Sequence, residues 1–466
     1  MYIEQLYTNC LSEATYFIES NGEVAGNDPL RDIDKYIQLA EQKNAVIKYI
    51  FETHFHADFV SGHIDLAKKT GAQIIYGPDA ETGFEKYSAK DQERFTLGNV
   101  QFQAIHTPGH TLESTCYLLY DEQQQPHALF TGDTLFVGDV GRPDLFSGNL
   151  SKEALAGYLY ESLQKIKQLA PEVKVYPAHG PGSSCGKNLG PNPFSPIGGE
   201  IATNYALQPQ TKEPFITPVP EGLSTPPVYF PVNAALNKNG YENIDNIMNK
   251  GLTALSIEAF KKEIEDDAII LDTRNATEFT QGFIPNAISI GLEGRFAEWA
   301  GVLLPFHHKL VLVTDIGKEE ETITRLTRVG FDQIIGYLAG SYQAWVDAGE
   351  KIDLIIDVEP DELKMDMNYD TRLVILDVRK ELEFESGHVQ TAVNIPLQTM
   401  NDVAVLSNIE DNDNVYIHCA GGYRSVIAAS IMKKQGFHNI RNVLGGYDQI
   451  KLVPEMPLVA AKEVLN

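Results

Sequence analysis

Six histidine and aspartate side chains recur in short motifs at four places along the chain: His54, His56 and Asp58 in THFHADFVSGH, His110 in HTPGHT, Asp133 in TGDTLF and His179 in YPAHG. Imidazole and carboxylate are ligands for a divalent metal, and six of them in four motifs point to a metal site more strongly than any one alone. A second reactive feature lies far downstream, in VYIHCAGGYRSV. Cys419 is followed by Ala420, Gly421, Gly422, Tyr423, Arg424 and Ser425. Two glycines let the backbone turn its N–H groups inward at a helix start, an anion nest that favours a thiolate and can cradle an anionic ligand.

These residues need elements to position them. Each His/Asp motif follows a short apolar run, such as AVIKYIFET or HALFTGDTLF, so strand ends aim the side chains at one point. Cys419 likewise sits between an apolar strand and an apolar-periodic helix. The Gly/Pro/Ser-rich stretch 180–200 reads as a long surface loop beside the metal site, and it carries Cys185, six residues after His179. The Pro-rich stretch 213–231 reads as an irregular closing segment.

At 466 residues, several domains are expected. Two stretches of the C-terminal half resemble each other: AIILDTRNATEFTQGFIPNAISI (268–290) and LVILDVRKELEFESGHVQTAVNI (373–395). Asp272 and Asp377 align, as do Gly340 and Gly446, which is the mark of two copies of one open α/β unit. The expected domains are 1–250, 251–354 and 355–466. At the place of Cys419 the first copy has Asp315, in VTDIGKEEETITRL, with no thiol and no glycine pair. A carboxylate cannot replace a thiol as nucleophile, so this copy reads as inactive, a spacer or docking surface.

Composition excludes several partners. Lys and Arg number 37 against 64 Asp and Glu, a net charge of −27 with no basic stripe, so neither nucleic acid nor an anionic membrane is expected. The four cysteines are far apart and form no CxxC pair, which excludes a disulfide framework and a thiolate zinc knuckle. The first twenty residues lack the pattern of a signal peptide, and no long apolar run reads as a membrane span. A reducing, cytoplasmic location is expected.

THFHAD, TPGHT, GDTLF and PAHG resemble, in order, the motifs of the metallo-β-lactamase fold, in its glyoxalase II and persulfide dioxygenase branch, over residues 1–210. The resemblance implies a four-layer αββα sandwich with the metal at one edge. Two-metal hydrolases of the group place a histidine directly after the aspartate, where this chain has Phe59. Losing a ligand weakens a second site, so a single metal is favoured. By resemblance to the dioxygenases, His54, His110 and Asp133 would hold one Fe(II), a facial triad with open positions for a thiolate and O2, with Zn as the alternative. His56, Asp58 and His179 would orient ligands and water from behind. Arg142 and Asp144, in GDVGRPDLF, match a motif of the same branch, either as a loop salt bridge or as anion-binding support. Cys185 reads as a persulfide-handling thiol or a bystander.

The loop from Cys419 to Arg424 resembles the active loop of rhodanese sulfurtransferases, which implies Cys419 as the persulfide-forming nucleophile and Arg424 as a second catalytic residue, and it is one residue shorter than that of cysteine phosphatases. The full expectation is therefore an α/β chain with a metallo-β-lactamase domain followed by two rhodanese-like domains. It would oxidise a thiol persulfide (glutathione, coenzyme A or bacillithiol type) with O2 to sulfite and pass sulfane sulfur through Cys419 to or from thiosulfate. The resemblance also implies a homo-oligomer. The alternatives are a glyoxalase II-type thioester hydrolase with Zn and a non-catalytic persulfide carrier or sensor.

Overall fold

The computed structural model describes residues 1–145, 150–208, 211–217, 219, 223 and 225–460. The chain divides into two compact units, one of Met1–Asp245 with Leu326–Asp332, the other of Asn246–Arg325 with Gln333–Asn466.

The first unit is built on two six-stranded sheets. One runs in the order Tyr2–Thr8, Glu13–Ser20, Glu23–Asn27, Val46–Phe51, Gln73–Tyr76 and Tyr87–Ser88. The other runs Ser195–Pro196, Lys174–Pro177, Pro126–Gly132, Thr115–Tyr120, Val100–His106 and Arg94–Leu97. Side chains alternate across a strand with period two, and here both faces are apolar. Tyr16 and Ile18 join Phe102, Tyr117 and Phe130 in the core between the sheets, while Phe17 turns outward beneath the helices Asp34–Gln42 and His63–Thr70. On the second sheet Leu118 and Leu129 face outward, covered by Leu159, Leu163 and Ile166 of the helix Lys152–Ile166. Helix, sheet, sheet, helix is the four-layer αββα sandwich.

Two stretches differ from expectation. The end of 180–200 is ordered structure rather than loop: Ser195–Pro196 pairs with Lys174–Val175, and Ile197–Thr203 is helical, with Ile197 buried in the outer core. An apolar residue after a proline is enough to seat a helix start, which a composition-based reading overlooks. The stretch 213–231 falls partly outside the described residues, but it begins inside a helix, Lys212–Ile216, whose Phe215 is buried.

The second unit holds two five-stranded sheets of identical topology, with every pairing parallel. The first copy orders its strands Ala254–Leu255, Ile334–Leu338, Leu310–Val313, Ile269–Asp272 and Ile288–Ser289. The second orders them Ile356–Val358, Ile440–Val443, Asn414–His418, Leu373–Asp377 and Val393–Asn394. Open parallel sheets gather functional side chains beyond the carboxyl ends of their strands. Asp315 and Cys419 both lie just past such ends. No helix among the described residues is long and apolar enough to cross a membrane.

Candidate functional site

In the first unit, the loops that follow the strands Val46–Phe51, Val100–His106, Pro126–Gly132 and Lys174–Pro177 converge. His54, His110 and Asp133 each offer a ligand atom, all within 4.8 Å of one another and all buried. His54 and His110 approach edge to face, with ring centroids 4.9 Å apart. The backbone selects which nitrogen each ring presents. His110 Nδ1 lies 2.8 Å from the carbonyl of Arg142, which can only accept, so Nδ1 carries the proton and Nε2 keeps its lone pair. Thr53 Oγ1 donates to Asp28 and so accepts from His54 Nδ1, at 2.9 Å each, which again leaves Nε2 as the ligand atom. Burial pushes the His54 imidazole well below its usual range, and His56, His110 and His179 add to the effect. It is held neutral, the form that binds metal. Gly132 makes room for this chain: its φ is +52°, and a Cβ there would lie 2.4 Å from Thr53 Oγ1.

Both carboxylate oxygens of Asp133 and of Asp58, and Nε2 of His179, are buried with no hydrogen-bond partner among the described residues. Buried polar atoms left in this state are expensive, and a bound cation satisfies them together. The donor set therefore fits a metal ion.

His56, Asp58 and His179 form an overlapping trio, also within 4.8 Å. His179 Nε2 stands 3.3 Å from Asp58 and 3.4 Å from Asp133. His56 is drawn the other way, with Nε2 3.0 Å from Asp28 Oδ1. Burial lowers its pKa, but the charge and hydrogen bond of Asp28 outweigh burial and carry it up to about 9. Phe59 is fully buried, its ring 4.3 Å from the His56 ring. Burial pushes the Asp58 carboxyl up, and Asp133 adds to this.

Arg142 is buried and makes a two-point salt bridge to Asp144, at 2.7 and 2.8 Å, while its Nη1 donates to Ser184 O. Its side chain ties down the loop bearing Cys185, and its carbonyl orients His110. Cys185 is buried, with a ligand atom within 4.8 Å of those of Asp133 and His179. Burial raises its thiol well above the usual range, and the charges of Asp58 and Asp133 raise it further.

Sequence reasoning missed the residues behind this cluster. Asn237, in the helix Phe230–Asn239, donates to the carbonyls of His56 and Phe59 and accepts from Ser61 N, which pins the metal loop. Asp28, Glu13 and Glu52 bury acidic groups beside the histidines. Asp28, in GNDPL, carries no motif that would have signalled it.

In the second unit, Cys419 lies at the start of the helix Tyr423–Lys434, with the Gly422 amide donating to Sγ at 3.1 Å. Ser425 Oγ is 3.8 Å from Sγ and 2.7 Å from Asn442 Oδ1. Gly422 has φ +108°, the backbone that turns its N–H toward the sulfur. The carbonyls of Cys419 and Ala420 accept from Tyr447 N and Asp448 N. Arg424 pairs with Glu383 through both terminal nitrogens, each at 2.7 Å.

A buried His/Asp cluster at the loop edge of an αββα sandwich, followed by paired parallel sheets with one thiol in a glycine nest, defines a metallo-β-lactamase-type metal domain joined to rhodanese-type modules. Comparison with known proteins agrees. Residues 9–179 match the metallo-beta-lactamase superfamily, and residues 256–348 and 359–452 match the rhodanese-like domain. A metallo-beta-lactamase crystal structure from Staphylococcus aureus superposes with a TM-score of 0.64 at 30% identity, covering 73% of this chain and 98% of that one. A hydroxyacylglutathione hydrolase of Pelagibacter ubique is 38% identical over 145 residues, 31% of this chain and 56% of its own. A probable polyketide biosynthesis zinc-dependent hydrolase of Bacillus subtilis is 30% identical over 169 residues, 35% of this chain and 69% of its own. The chain spans about half the length of the first of these curated relatives and of others like it. The chain belongs to the metallo-β-lactamase superfamily and carries two rhodanese-like domains.

Proposed function

We propose that the chain is a persulfide dioxygenase fused to a sulfurtransferase, with domains at 1–250, 251–354 and 355–466. The observation that carries this reading is Phe59. Its ring lies 4.3 Å from that of His56, at the position where the two-metal hydrolases place a ligand, while His56 is drawn to Asp28. A single metal on His54, His110 and Asp133 is then favoured. Fe(II) in that set would supply the one-electron chemistry that lets O2 react with a thiolate.

The chain's own residues do the rest. Thr53 and the Arg142 carbonyl fix the rings of His54 and His110, and His179 and Asp58 present polar groups on the adjoining side. The net reaction is RSSH + O2 + H2O → RSH + SO3²⁻ + 2H⁺. In the second unit the Cys419 thiolate, held by the Gly422 amide, takes the outer sulfur of a persulfide and delivers it to sulfite as thiosulfate. Arg424, paired with Glu383, closes the loop at the rim of the sulfur's cavity.

Thioester hydrolysis with Zn is the second reading. The His56–Asp58–His179 trio favours it, because its ligand atoms are close enough for a second ion. The hydroxyacylglutathione hydrolases among the relatives favour it as well. Metal analysis with an oxygen electrode separates the two. The dioxygenase reading expects one iron per chain and O2 uptake with glutathione persulfide. Two zinc ions, no O2 uptake and turnover of an acylglutathione would establish the hydrolase instead. Phe59→His is expected to raise the metal content from one ion to two.

A further inference from the structure

The copy without a cysteine is more than a spacer. A cavity of about 480 Å³ lies over Cys419, and both copies line it: Gly294, Arg295, Glu298 and Trp299 from the first, Lys380, Glu383 and Arg424 from the second. The contact is built in. Tyr423, inside the Cys419 loop, donates from its hydroxyl to Gly291 O of the first copy at 2.8 Å. A side chain at Gly294, whose φ is +85°, would meet the Tyr423 ring at 3.4 Å.

The charges on this cavity differ from those of the chain. Arg424 pairs with Glu383, and Arg295 pairs with Glu298. Lys380 makes no ion pair among the described residues, so three cations face two carboxylates on a chain whose net charge is −27. A positive rim on so acidic a chain steers anions toward the sulfur. Size narrows the choice further. At about 30 Å³ per water, the cavity holds roughly sixteen waters, far more than sulfite needs and suited to an organic thiol.

Building on the sulfur-transfer reading, we propose that Arg295 and Trp299 of the cysteine-less copy, with Lys380, form a specificity subsite for an anionic organic persulfide over Cys419. Trp299 gives the carrier an apolar wall, and Arg295 and Lys380 receive its carboxylates or phosphates. In the step served, the Cys419 thiolate attacks the outer sulfur of RS–SH. A new S–S bond forms to Cys419 and the RS–S bond breaks. The electron pair leaves with RS⁻ and the proton stays on the transferred sulfur, so no oxidant is required.

The test uses the full chain with Arg295→Gln and Lys380→Gln. Sulfur transfer to cyanide is measured with glutathione persulfide, coenzyme A persulfide and neutral N-acetylcysteamine persulfide as donors. Each variant is expected to lower the anionic-to-neutral selectivity at least tenfold, through KM rather than kcat. The larger loss marks carboxylate or phosphate as the preferred group. A parallel fall for all donors, or an unchanged ratio, overturns the subsite. A second readout needs no turnover: the ratio of Cys419 alkylation by iodoacetate to that by iodoacetamide, followed on the Cys419 peptide by mass spectrometry. The ratio is expected to favour iodoacetate in the parent chain and to fall in both variants. No preference in the parent overturns the subsite. A preference lost in the variants, in a chain that moves no sulfur from any donor, upholds the subsite and sinks the sulfur-transfer reading alone.

Discussion

Arg274 and Arg379 hold equivalent places in the two C-terminal copies and make the same contacts. Each guanidinium grips a buried aspartate two residues back, Asp272 or Asp377, with a closest approach of 2.6 Å. Each also donates to a glycine carbonyl eight residues on, Gly282 O at 3.0 Å or Gly387 O at 2.7 Å. Each lies over a tyrosine ring, Tyr342 at 4.1 Å or Tyr447 at 4.0 Å. The clamp and the order of the five strands are thus the same in both copies, while the loop after the central strand differs. In the second copy Gly446 presses on that loop so closely that a Cβ would lie 2.5 Å from Cys419 O. The structure places Ser341, not Gly340, at the position of Gly446, each the first residue of its helix and each with left-handed backbone (φ +60° and +57°), and Ile316 beside Asp315 is exposed. One fold can keep its frame after its reactive loop is gone, because the Asp–Arg clamp serves stability and the glycine contacts serve the thiol.

The comparison can be broken by mutation. Cys419→Ser is expected to cut sulfur transfer to cyanide by at least about 10³-fold, since the nucleophile itself is lost, whereas Asp315→Ala should leave the rate within a factor of two. Comparable losses from both would show that the first copy takes part in the chemistry. Arg274→Ala and Arg379→Ala should each destabilise the second unit by about 3–5 kcal/mol, because each leaves a buried carboxylate unpaired. Urea denaturation checks this, and a much smaller loss for Arg274 would mean that the clamp belongs to catalysis. Tyr423→Phe removes one hydrogen bond between the copies and should lower stability by about 1 kcal/mol, with a severalfold loss of transfer. The smallest effect is expected of Asp315→Cys in a Cys419→Ser background. It should restore no measurable transfer, and any recovery would show that the frame alone can activate a thiol.

Much of this was legible in the sequence, for identifiable reasons. The paired α/β units could be read because 268–290 and 373–395 repeat one pattern, and the sandwich because the His/Asp motifs occur in the order of the fold they resemble. The metal motifs were legible because each sits next to its own strand end, and the Cys419 loop because a nucleophile and a nest within six residues are local. What could not be read lies across long separations. Asn237 pins the loop at His56 and Phe59 from about 180 residues away. Glu383 meets Arg424, the last residue of the loop that resembles the rhodanese active loop, from 41 residues upstream. Arg295, Glu298 and Trp299 sit on a short helix start in a copy that has no thiol, and nothing in their spacing points to Cys419.

The central claim is that one chain makes sulfite at its metal centre and spends it at Cys419. Product stoichiometry under O2, with glutathione persulfide as the sole substrate, tests it most directly. The parent chain should yield one thiosulfate for each O2 and two persulfides consumed, and Cys419→Ser should yield one sulfite for each O2 and one persulfide, with no thiosulfate. Persistent thiosulfate from a folded, iron-loaded Cys419→Ser chain, or the absence of both products from the parent, would contradict the account.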